Sequence, residues 1–292
     1  MNDVTDKTFT IVITGAGGQL GQELARMSVA PHIRIVGLDR SKLDITDADQ
    51  CKSVMDELRP DAIIHAAAHT AVDRAEAEPD TARLVNVLGT RNVAIAAEAV
   101  GAKFIFVSTD YVFNGKNVTP YSEHDATDPQ SVYGRTKLEG EREAAAHCSR
   151  LFVVRTSWVY GRYGNNFVKT MLKLAEQRNE LKVVQDQVGS PTFTYDLAEL
   201  LLSLAQTDDY GIYHASNSGI CSWYEFAKAI FEEAGLTNIR VIPCNTEEFP
   251  RPAPRPAYSV LGNQALIDAG FKPLRHWREA LHDYIRSTSK QD

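Results

Sequence analysis

A tyrosine and a lysine, Tyr133 and Lys137, have the residue types and the spacing needed to move a proton. They lie four positions apart in a stretch, 131–147, that predicts a helix, so both side chains share one helix face. A phenol titrates near pH ~10, and a neighbouring ammonium group stabilises the phenolate and lowers its pKa. The pair therefore indicates acid–base chemistry, although a Tyr-x-x-x-Lys spacing alone more often marks a solvated helix face.

Polar residues also follow a buried apolar run, at Ser108, Thr109 and Asp110. The run at 104–108 predicts a strand, and ligands of α/β proteins collect at the carboxyl ends of strands. The hydroxyl groups at this edge could hold a substrate carbonyl group beside Tyr133. Asp110 could equally be a turn-forming residue.

A glycine-rich segment, Gly-Ala-Gly-Gly-Gln-Leu-Gly at 15–21, follows the first apolar run. Gly15, Gly18 and Gly21 permit positive φ and a close approach of phosphate to backbone N–H groups at the start of a helix. The same pattern could be a strand-to-helix turn that binds nothing. Asp39 ends the second apolar run, where a carboxylate accepts hydrogen bonds from ribose, and this favours a dinucleotide-binding turn.

Apolar runs and helical patterns alternate through the first half of the chain. Strands are predicted at 9–14, 33–38, 62–67, 104–108 and 152–156, each rich in Val, Ile or Phe. Thr46 and Pro60 mark the two ends of the helix between the second and third strands. This alternation predicts an α/β fold, a Rossmann-type doubly wound parallel sheet with helices on both faces.

The second half is less regular and predicts a smaller carboxy-terminal substrate-binding domain. We expect a dinucleotide-binding domain at 1–158, to which residues of roughly 190–216 return, and a mainly substrate-binding domain at 159–292. Ser222 and Glu225 form a capping box that opens a helix stopped by Gly235. A stiff proline-rich segment at 250–256 precedes a final helix, predicted at 277–285.

Composition limits the class of protein. The 292 residues carry a net charge of −7, which disfavours nucleic acid and anionic membranes as partners. The four cysteines lie far apart without a Cys-x-x-Cys pair, so reduced thiols are expected rather than disulfides or a zinc site. The apolar run at 9–13 is too short for a signal peptide core or a membrane span. We therefore expect a cytoplasmic protein.

Longer motifs accompany these residues. They are Gly-Gln-Leu-Gly at 18–21, Ala-Ala-Ala-His-Thr-Ala-Val-Asp at 66–73, Ser-Thr-Asp-Tyr-Val-Phe at 108–113, Tyr-Gly-Arg-Thr-Lys at 133–137, Arg-Thr-Ser-Trp-Val-Tyr-Gly at 155–161 and Gly-Asn-Asn-Phe-Val-Lys-Thr at 164–170. With them the chain resembles the extended short-chain dehydrogenase/reductase family over nearly its whole length. The match is closest to the branch that reduces dTDP-linked 4-keto-sugars.

The resemblance implies a reaction, the reduction of dTDP-4-dehydro-β-L-rhamnose to dTDP-L-rhamnose in cell-surface polysaccharide biosynthesis. Hydride would come from NADPH, with NADH as an alternative, and Tyr133 would donate the proton. A reductase of another nucleotide-linked 4-keto-sugar stays open, as does a non-catalytic regulatory subunit on the same fold. The complete set of Thr109, Tyr133 and Lys137 disfavours the regulatory subunit.

The resemblance also implies roles for individual residues. Tyr133 is the implied acid, Lys137 binds the nicotinamide ribose, and Thr109 holds the reacting oxygen. Implied cofactor contacts are Gly18, Gln19 and Leu20 for pyrophosphate, Asp39 and Arg40 for the adenosine ribose, Asp44 and Ile45 for adenine, and Ala66, Ala67, Ala68, His69 and Thr70 for the nicotinamide side. Implied substrate contacts are Thr109, Asp110 and Trp158, with Asn165, Asn166 and Arg255 as further ones.

Several of these roles have structural alternatives. Trp158 could be core packing, and Arg251 and Arg255 could be exposed charges rather than pyrophosphate ligands. Some relatives dimerise around a magnesium ion held by carboxylates, and Glu23 occupies one such position. Its partners cannot be placed, so we assign no metal ligands and leave a homodimer open.

Overall fold

The computed structural model describes residues 8–288, and its central sheet has six parallel strands. The strands are β1 (Phe9–Thr14), β2 (Ile33–Leu38), β3 (Ala62–His65), β4 (Lys103–Thr109), β5 (Leu151–Thr156), β6 (Val159–Tyr160), β7 (Glu180–Val184), β8 (Val188–Gly189), β9 (Thr192–Phe193), β10 (Gly211–His214), β11 (Cys221–Ser222) and β12 (Arg240–Cys244). The helices are α1 (Gln19–Ala25), α2 (Ala48–Leu58), α3 (Val72–Ala77), α4 (Pro79–Arg83), α5 (Thr90–Val100), α6 (Val132–His147), α7 (Phe167–Ala175), α8 (Thr194–Leu204), α9 (Trp223–Glu233), α10 (Gln264–Asp268) and α11 (Trp277–Thr288). A π-helical turn, Leu84–Gly89, precedes α5, and a 3₁₀ turn, Asp110–Val112, follows β4.

Alternate residues of the central strands pack into two different cores. Ile11 and Ile13 pack with Leu201 of α8, whereas Val12 packs on the opposite face with Met55 of α2. Successive strand side chains point to opposite faces, so a strand buried on both sides is a continuous apolar run. This explains why the first strand is readable in the sequence.

The order of strands across the sheet is β2, β1, β3, β4, β5, β10. From β1 the chain first moves outward to β2 and then crosses to β3 on the other side of β1. The switch point therefore lies between β1 and β3, and a crevice opens beyond their carboxyl ends. The glycine turn and the loop after β3 lie at this crevice.

A third core unites the segments that follow the sheet's fifth strand. It contains Tyr160, Phe226 of α9 and Tyr284 of α11, and Phe193 of β9 packs with them. The strand pair β7–β12 and helix α7 belong to the same region. Strand β10 and helix α8 instead return to the main sheet, since β10 pairs with β5 and α8 packs in the core beneath β1.

The predicted elements agree with the structure except near their ends. The capping box of α9, formed by Ser222 and Glu225, is confirmed. The prediction of Thr46 as the cap of α2 is wrong by one residue: Asp47 accepts the hydrogen bond from the Gln50 N–H at 2.9 Å. The third strand ends at His65, not at residue 67, because the chain then turns onto the glycine turn.

All four cysteines are buried free thiols, as their spacing predicts. Within residues 8–288, no helix has the length and apolar character required to cross a membrane.

Candidate active site

The glycine turn after β1 is held by backbone contacts that leave no room for side chains. Gly15 has φ of 69°, and a Cβ atom on it would lie 2.6 Å from the backbone of Ala67. A Cβ atom on Gly21 would overlap the carbonyl oxygen of Gly15. Gly18 stands at the N-terminus of α1 and donates its N–H to that same carbonyl at 2.9 Å. Bare backbone at a helix N-terminus suits a phosphate group.

The loop after β3 is tied to the helix that carries Tyr133. The backbone N–H of His69 donates to Asn86 Oδ1 at 2.7 Å. Asn86 Nδ2 donates in turn to the His69 carbonyl at 3.2 Å and to Thr136 Oγ1 at 3.0 Å. Asn86 is fully buried in the π-helical turn, so this loop and α6 are held in a fixed relation.

Helix α6 brings Tyr133 and Lys137 against the end of β4. Ser131 caps the helix by accepting the Gly134 N–H at 3.0 Å. The Lys137 ammonium is buried, donates to the Val107 carbonyl at 2.7 Å, and lies 4.0 Å from the centroid of the Phe106 ring. The helix thus starts at the sheet's carboxyl edge with Lys137 turned inward.

Burial dominates the ionisation of both groups. It raises the pKa of Tyr133 to about 12, against a smaller lowering by the Thr109 hydroxyl. It lowers the pKa of Lys137 to about 7, and the Glu141 carboxylate opposes that shift. The prediction of a lowered phenol pKa is wrong for this structure, because desolvation of the phenol outweighs the hydrogen bond and the ammonium is engaged with β4.

Thr109 and Asp110 lie at the carboxyl end of β4, beside Tyr133. Thr109 donates its hydroxyl proton to Asp110 Oδ1 at 2.9 Å and accepts the Tyr111 N–H at 3.2 Å. Burial raises the pKa of Asp110 to about 6, and the hydrogen bond from Thr109 and the nearby Ser259 hydroxyl act in the opposite direction. Ser259 was not recognised from the sequence, because it approaches from a distant segment.

Two cavities adjoin at this edge of the sheet. The glycine-turn cavity, of about 380 Å³, is lined by residues 18–21, by the loop after β3, and by Thr109 and Tyr133. The arginine cavity, of about 540 Å³, is lined by α7, by β7 and by Arg251 and Arg255. Tyr111 and Trp158 line both cavities, so they form the wall between them. The Tyr111 ring also meets the Tyr133 ring edge-on, with 5.5 Å between centroids.

Trp158 combines packing with exposure to the cavities. Its backbone has φ of 47°, a region that non-glycine residues seldom occupy. Its ring is stacked on Trp223 with centroids 3.6 Å apart, and Gly189 leaves room for it on β8. A Cβ atom on Gly189 would lie 2.5 Å from the indole. Trp158 therefore both packs on Trp223 and lines the site.

The two arginines of the proline-rich segment differ in their surroundings. Arg255 pairs with Asp73 of α3 at 2.9 Å, and the Ala253 N–H donates to the same carboxylate at 3.3 Å. Arg251 is exposed and lies 4.7 Å from the Phe249 ring centroid. Both line the arginine cavity, which is where anionic groups would meet them.

The residues after β2 form a compact turn beside the glycine turn. Asp39 Oδ1 accepts from Ser41 Oγ at 2.6 Å and from the Ser41 N–H at 3.0 Å, and these bonds lower the pKa of Asp39. Arg40 is 86% exposed and lies 3.7 Å from Asp44. Ile45 is buried in the core beside α5. Asp39 is thus fixed by its neighbours, whereas Arg40 is free to move.

Gln19 and Asn166 bind each other across the glycine turn. Asn166 Nδ2 donates to Gln19 Oε1 at 2.9 Å and to the Gly161 carbonyl at 2.8 Å, while its Oδ1 caps α7. Gln19 donates to the backbone of β6 at 3.1 Å and lines the glycine-turn cavity. Among the described residues, Asn165 and Asn166 line neither cavity. Asn166 holds the second half of the chain against α1.

Glu23, the position that the resemblance relates to magnesium, is buried and accepts from Thr194 Oγ1 at 2.8 Å. Over residues 8–288, no group of three or more His, Cys, Asp or Glu side chains could hold a metal ion.

Comparison with known proteins identifies the family of this chain. The model of the RmlD substrate binding domain matches residues 9–290. The chain belongs to the RmlD substrate-binding-domain family.

Similar proteins agree over nearly the whole chain. The spore coat polysaccharide biosynthesis protein SpsK of Bacillus subtilis (strain 168) is 47% identical, with 96% of this chain and 98% of the relative covered. The dTDP-4-dehydrorhamnose reductase of Mycolicibacterium smegmatis is 46% identical, with 94% and 84% covered. The crystal structure of dTDP-4-dehydrorhamnose reductase from Bacillus anthracis str. Ames, in complex with NADP, has a TM-score of 0.94 at 45% identity, covering 96% and 99%. The predicted resemblance and the Rossmann-type fold are confirmed.

Four residues of the site in this family member were given no role on the basis of the sequence. Tyr111 directly follows the Ser-Thr-Asp run at a strand end, and that position could have drawn attention to it. Asn86 and Ser259 carry no local signal, since they reach the site only through the fold. Gly134 is visible as a glycine inside a helix, which is unfavourable without a packing reason.

Gly134 gives a direct test of how closely α6 must approach the 3₁₀ turn. A Cβ atom there would overlap the Tyr111 carbonyl oxygen, so Gly134→Ala forces the helix N-terminus outward. We expect kcat to fall about 10²-fold, because a displacement of ~1 Å in a catalytic group can cost that much. Circular dichroism and thermal unfolding check that the variant is folded. A folded variant with wild-type kcat would contradict the required close approach.

Proposed function

We propose that this chain reduces dTDP-4-dehydro-β-L-rhamnose to dTDP-L-rhamnose with NAD(P)H, as a step in dTDP-rhamnose and cell-surface polysaccharide biosynthesis. The observation that carries the proposal is the meeting of Thr109, Tyr133 and the glycine turn around one cavity in a member of this family. The adjoining arginine cavity gives room for the nucleotide part of the substrate. The buried free thiols are consistent with action in the cytoplasm.

The glycine-turn cavity fits a nicotinamide dinucleotide. Gly18 leaves backbone exposed at the N-terminus of α1, where we place the pyrophosphate with Gln19 and Leu20. Gly15 and Gly21 permit the tight turn that brings it there. Asp39 and Arg40 would hold the adenosine ribose, with Asp44 and Ile45 nearer adenine. Ala66 to Thr70 would line the nicotinamide side. The reduced nicotinamide supplies the hydride that adds to the C4 keto carbon.

Tyr133 is placed to protonate the oxygen of the substrate as its carbonyl becomes an alcohol. A phenol with a raised pKa holds its proton firmly until a more basic alkoxide develops beside it. The Thr109 hydroxyl lies next to it and would hold the same oxygen. We assign Lys137 to the nicotinamide ribose.

The arginine cavity would take the rest of the sugar nucleotide. We propose that Arg255 binds the diphosphate by exchanging Asp73 for phosphate oxygens, with Arg251 as a second cation. Trp158, with Asp110, would cover the sugar at the wall between the cavities. The third core, which carries α7, β7 and α9, would then be the substrate-binding part of the chain.

Turnover tests the proposed reaction. Purified protein supplied with dTDP-4-dehydro-β-L-rhamnose should consume NADPH, followed by the loss of reduced-nicotinamide absorbance, and yield dTDP-L-rhamnose. Turnover only with a different dTDP-4-keto-sugar would assign the chain to another reductase of this class. Tight NADPH binding without turnover of any keto-sugar would instead support a regulatory subunit.

Removing the phenol hydroxyl tests the proton donor. Tyr133→Phe should lower kcat by about 10²–10⁴-fold, the usual contribution of general acid catalysis, while the dissociation constant for NADPH changes little. Steady-state kinetics and a fluorescence titration measure the two quantities. Near-wild-type turnover would mean that another group supplies the proton.

Cofactor choice depends on two opposed charges at the end of β2. We predict use of both cofactors with a modest preference for NADPH, because Arg40 can pair with a 2′-phosphate that Asp39 repels. Arg40→Ala should weaken this preference and Asp39→Ala should enlarge it, measured as the ratio of kcat/KM values. Arg59→Ala, an exposed arginine that ends α2, is the control. A preference for NADH above about tenfold, ~1.4 kcal/mol, would show that Asp39 dominates.

A further inference from the structure

A buried carboxylate one helical turn beyond Lys137 has no role in the chemistry described above. Glu141 is 6% exposed and accepts three hydrogen bonds. Arg155 Nε donates to its Oε1 at 2.9 Å, Arg155 Nη2 donates to its Oε2 at 2.8 Å, and Ser108 Oγ donates to Oε1 at 2.5 Å. Both carboxylate oxygens are therefore engaged, and the side chain has one fixed position.

These contacts join the catalytic helix to two strands at the edge where the reaction would occur. Ser108 on β4 and Arg155 on β5 are neighbours in the sheet register. The next residue on β4 is Thr109, which lines the glycine-turn cavity. Glu141 thus fixes the inner face of α6 relative to the strand end that carries Thr109.

The partner of Glu141 is itself held on every side. Arg155 is 3% exposed, and its guanidinium lies 5.1 Å from the Phe113 ring centroid. Its Nη1 lies 3.5 Å from the Glu123 carbonyl and 3.5 Å from His214 Nε2. Burial lowers the pKa of His214 to about 3, so Arg155 faces a neutral ring. The ion pair cannot exchange for water without unpacking this region.

Lys137 shares its surroundings with few charged groups. From β3 it faces His65, whose pKa burial lowers to about 3, and from β4 it faces the Val107 carbonyl and the Phe106 ring. On its own helix Glu141 raises its pKa, against a lowering by burial. Two further ion pairs of α6, Arg83–Glu139 with α4 and Arg91–Glu143 with α5, lie on its more exposed side. Tyr133 completes the inner face.

We propose that Glu141, clamped by Arg155 and Ser108, is a positioning residue that sets the inner face of α6 and keeps the Lys137 ammonium charged when the cofactor binds. The inference rests on the proposed function, since it takes Lys137 as the cofactor ribose ligand. A buried ammonium pays a desolvation cost that favours its neutral form. A carboxylate one turn away on the same face offsets that cost and cannot turn away.

The test is the pH dependence of cofactor binding in the absence of substrate, which needs no turnover. The dissociation constant for NADPH is measured from about pH 6 to 10. It should increase at pH values above the Lys137 pKa, and the pH at which this increase begins is the break in the profile. In Glu141→Gln the negative charge is gone, so the Lys137 pKa falls and this break should move down by about one pH unit. Titration of the ligand's own phosphate is common to all variants and cancels in the comparison.

Two variants separate charge from shape. Glu139→Gln makes the same substitution two residues away on the outer side of α6, and its break should match the wild type. Glu141→Asp keeps the charge, so its break should also stay in place even if affinity falls. A merely structural role for Glu141 would weaken binding equally at every pH. If the break lies at the same pH in Glu141→Gln as in Glu139→Gln, the proposal is overturned.

The design also covers loss of folding and failure of the proposed function. Glu141→Gln leaves Arg155 buried without a counter-ion, so Glu141→Gln/Arg155→Gln removes both charges and keeps hydrogen-bonding groups in place. Its break should also move down, but by less than in Glu141→Gln, because loss of the Arg155 cation partly offsets loss of the Glu141 carboxylate. An unchanged break there would also overturn the proposal. A wild-type protein that binds neither NADPH nor NADH would contradict the proposed function itself. If the wild type binds the cofactor without any break, the proposed role of the Lys137 charge is wrong, and the proposed function is unaffected.

Discussion

A positive charge buried under the reaction site is the constraint on which the rest of the structure depends. Removing an ammonium group from water costs several kcal/mol, and Lys137 has only a backbone carbonyl, an aromatic face and a nearby carboxylate to offset this. Those three groups come from β4 and α6, so the helix must lie tightly against that strand. Gly134 permits the contact at the helix N-terminus, and Asn86 anchors the helix from the opposite side. The catalytic face follows from these packing requirements.

Features of the fold that depend on local sequence could be predicted, whereas those that depend on long-range packing could not. Strands buried on both sides are continuous apolar runs, and helix spacing puts Tyr133 and Lys137 on one face, so both were readable locally. The positive φ of Gly15 was also implied by the glycine pattern. The phenol pKa was not, because desolvation depends on what covers Tyr133 and not on which residue is four positions away.

The remaining surprises involve partners far apart in the chain. Gln19 and Asn166 are both polar residues in recognisable motifs, yet they are joined to each other across the interface between the two halves. Trp158 stacks on Trp223 of α9, which lies far along the chain in the third core. Glu141 of α6 and Arg155 of β5 form a buried ion pair between a helix and a strand. Single-sequence patterns carry no information on such pairings.

Tyr111 and Trp158, which form the wall between the two cavities, separate parts of the site that come from different stretches of the chain. Apart from this wall and Asp73, the arginine cavity is built entirely from residues beyond Gly161, whereas Thr109, Tyr133 and Lys137 all precede it. On the proposed roles, substrate selection and bond chemistry are therefore encoded in separate stretches of the gene. On the proposed roles, substitutions confined to the cavity-lining part of this later stretch would change the sugar nucleotide that is recognised while Thr109, Tyr133 and Lys137 stay in place.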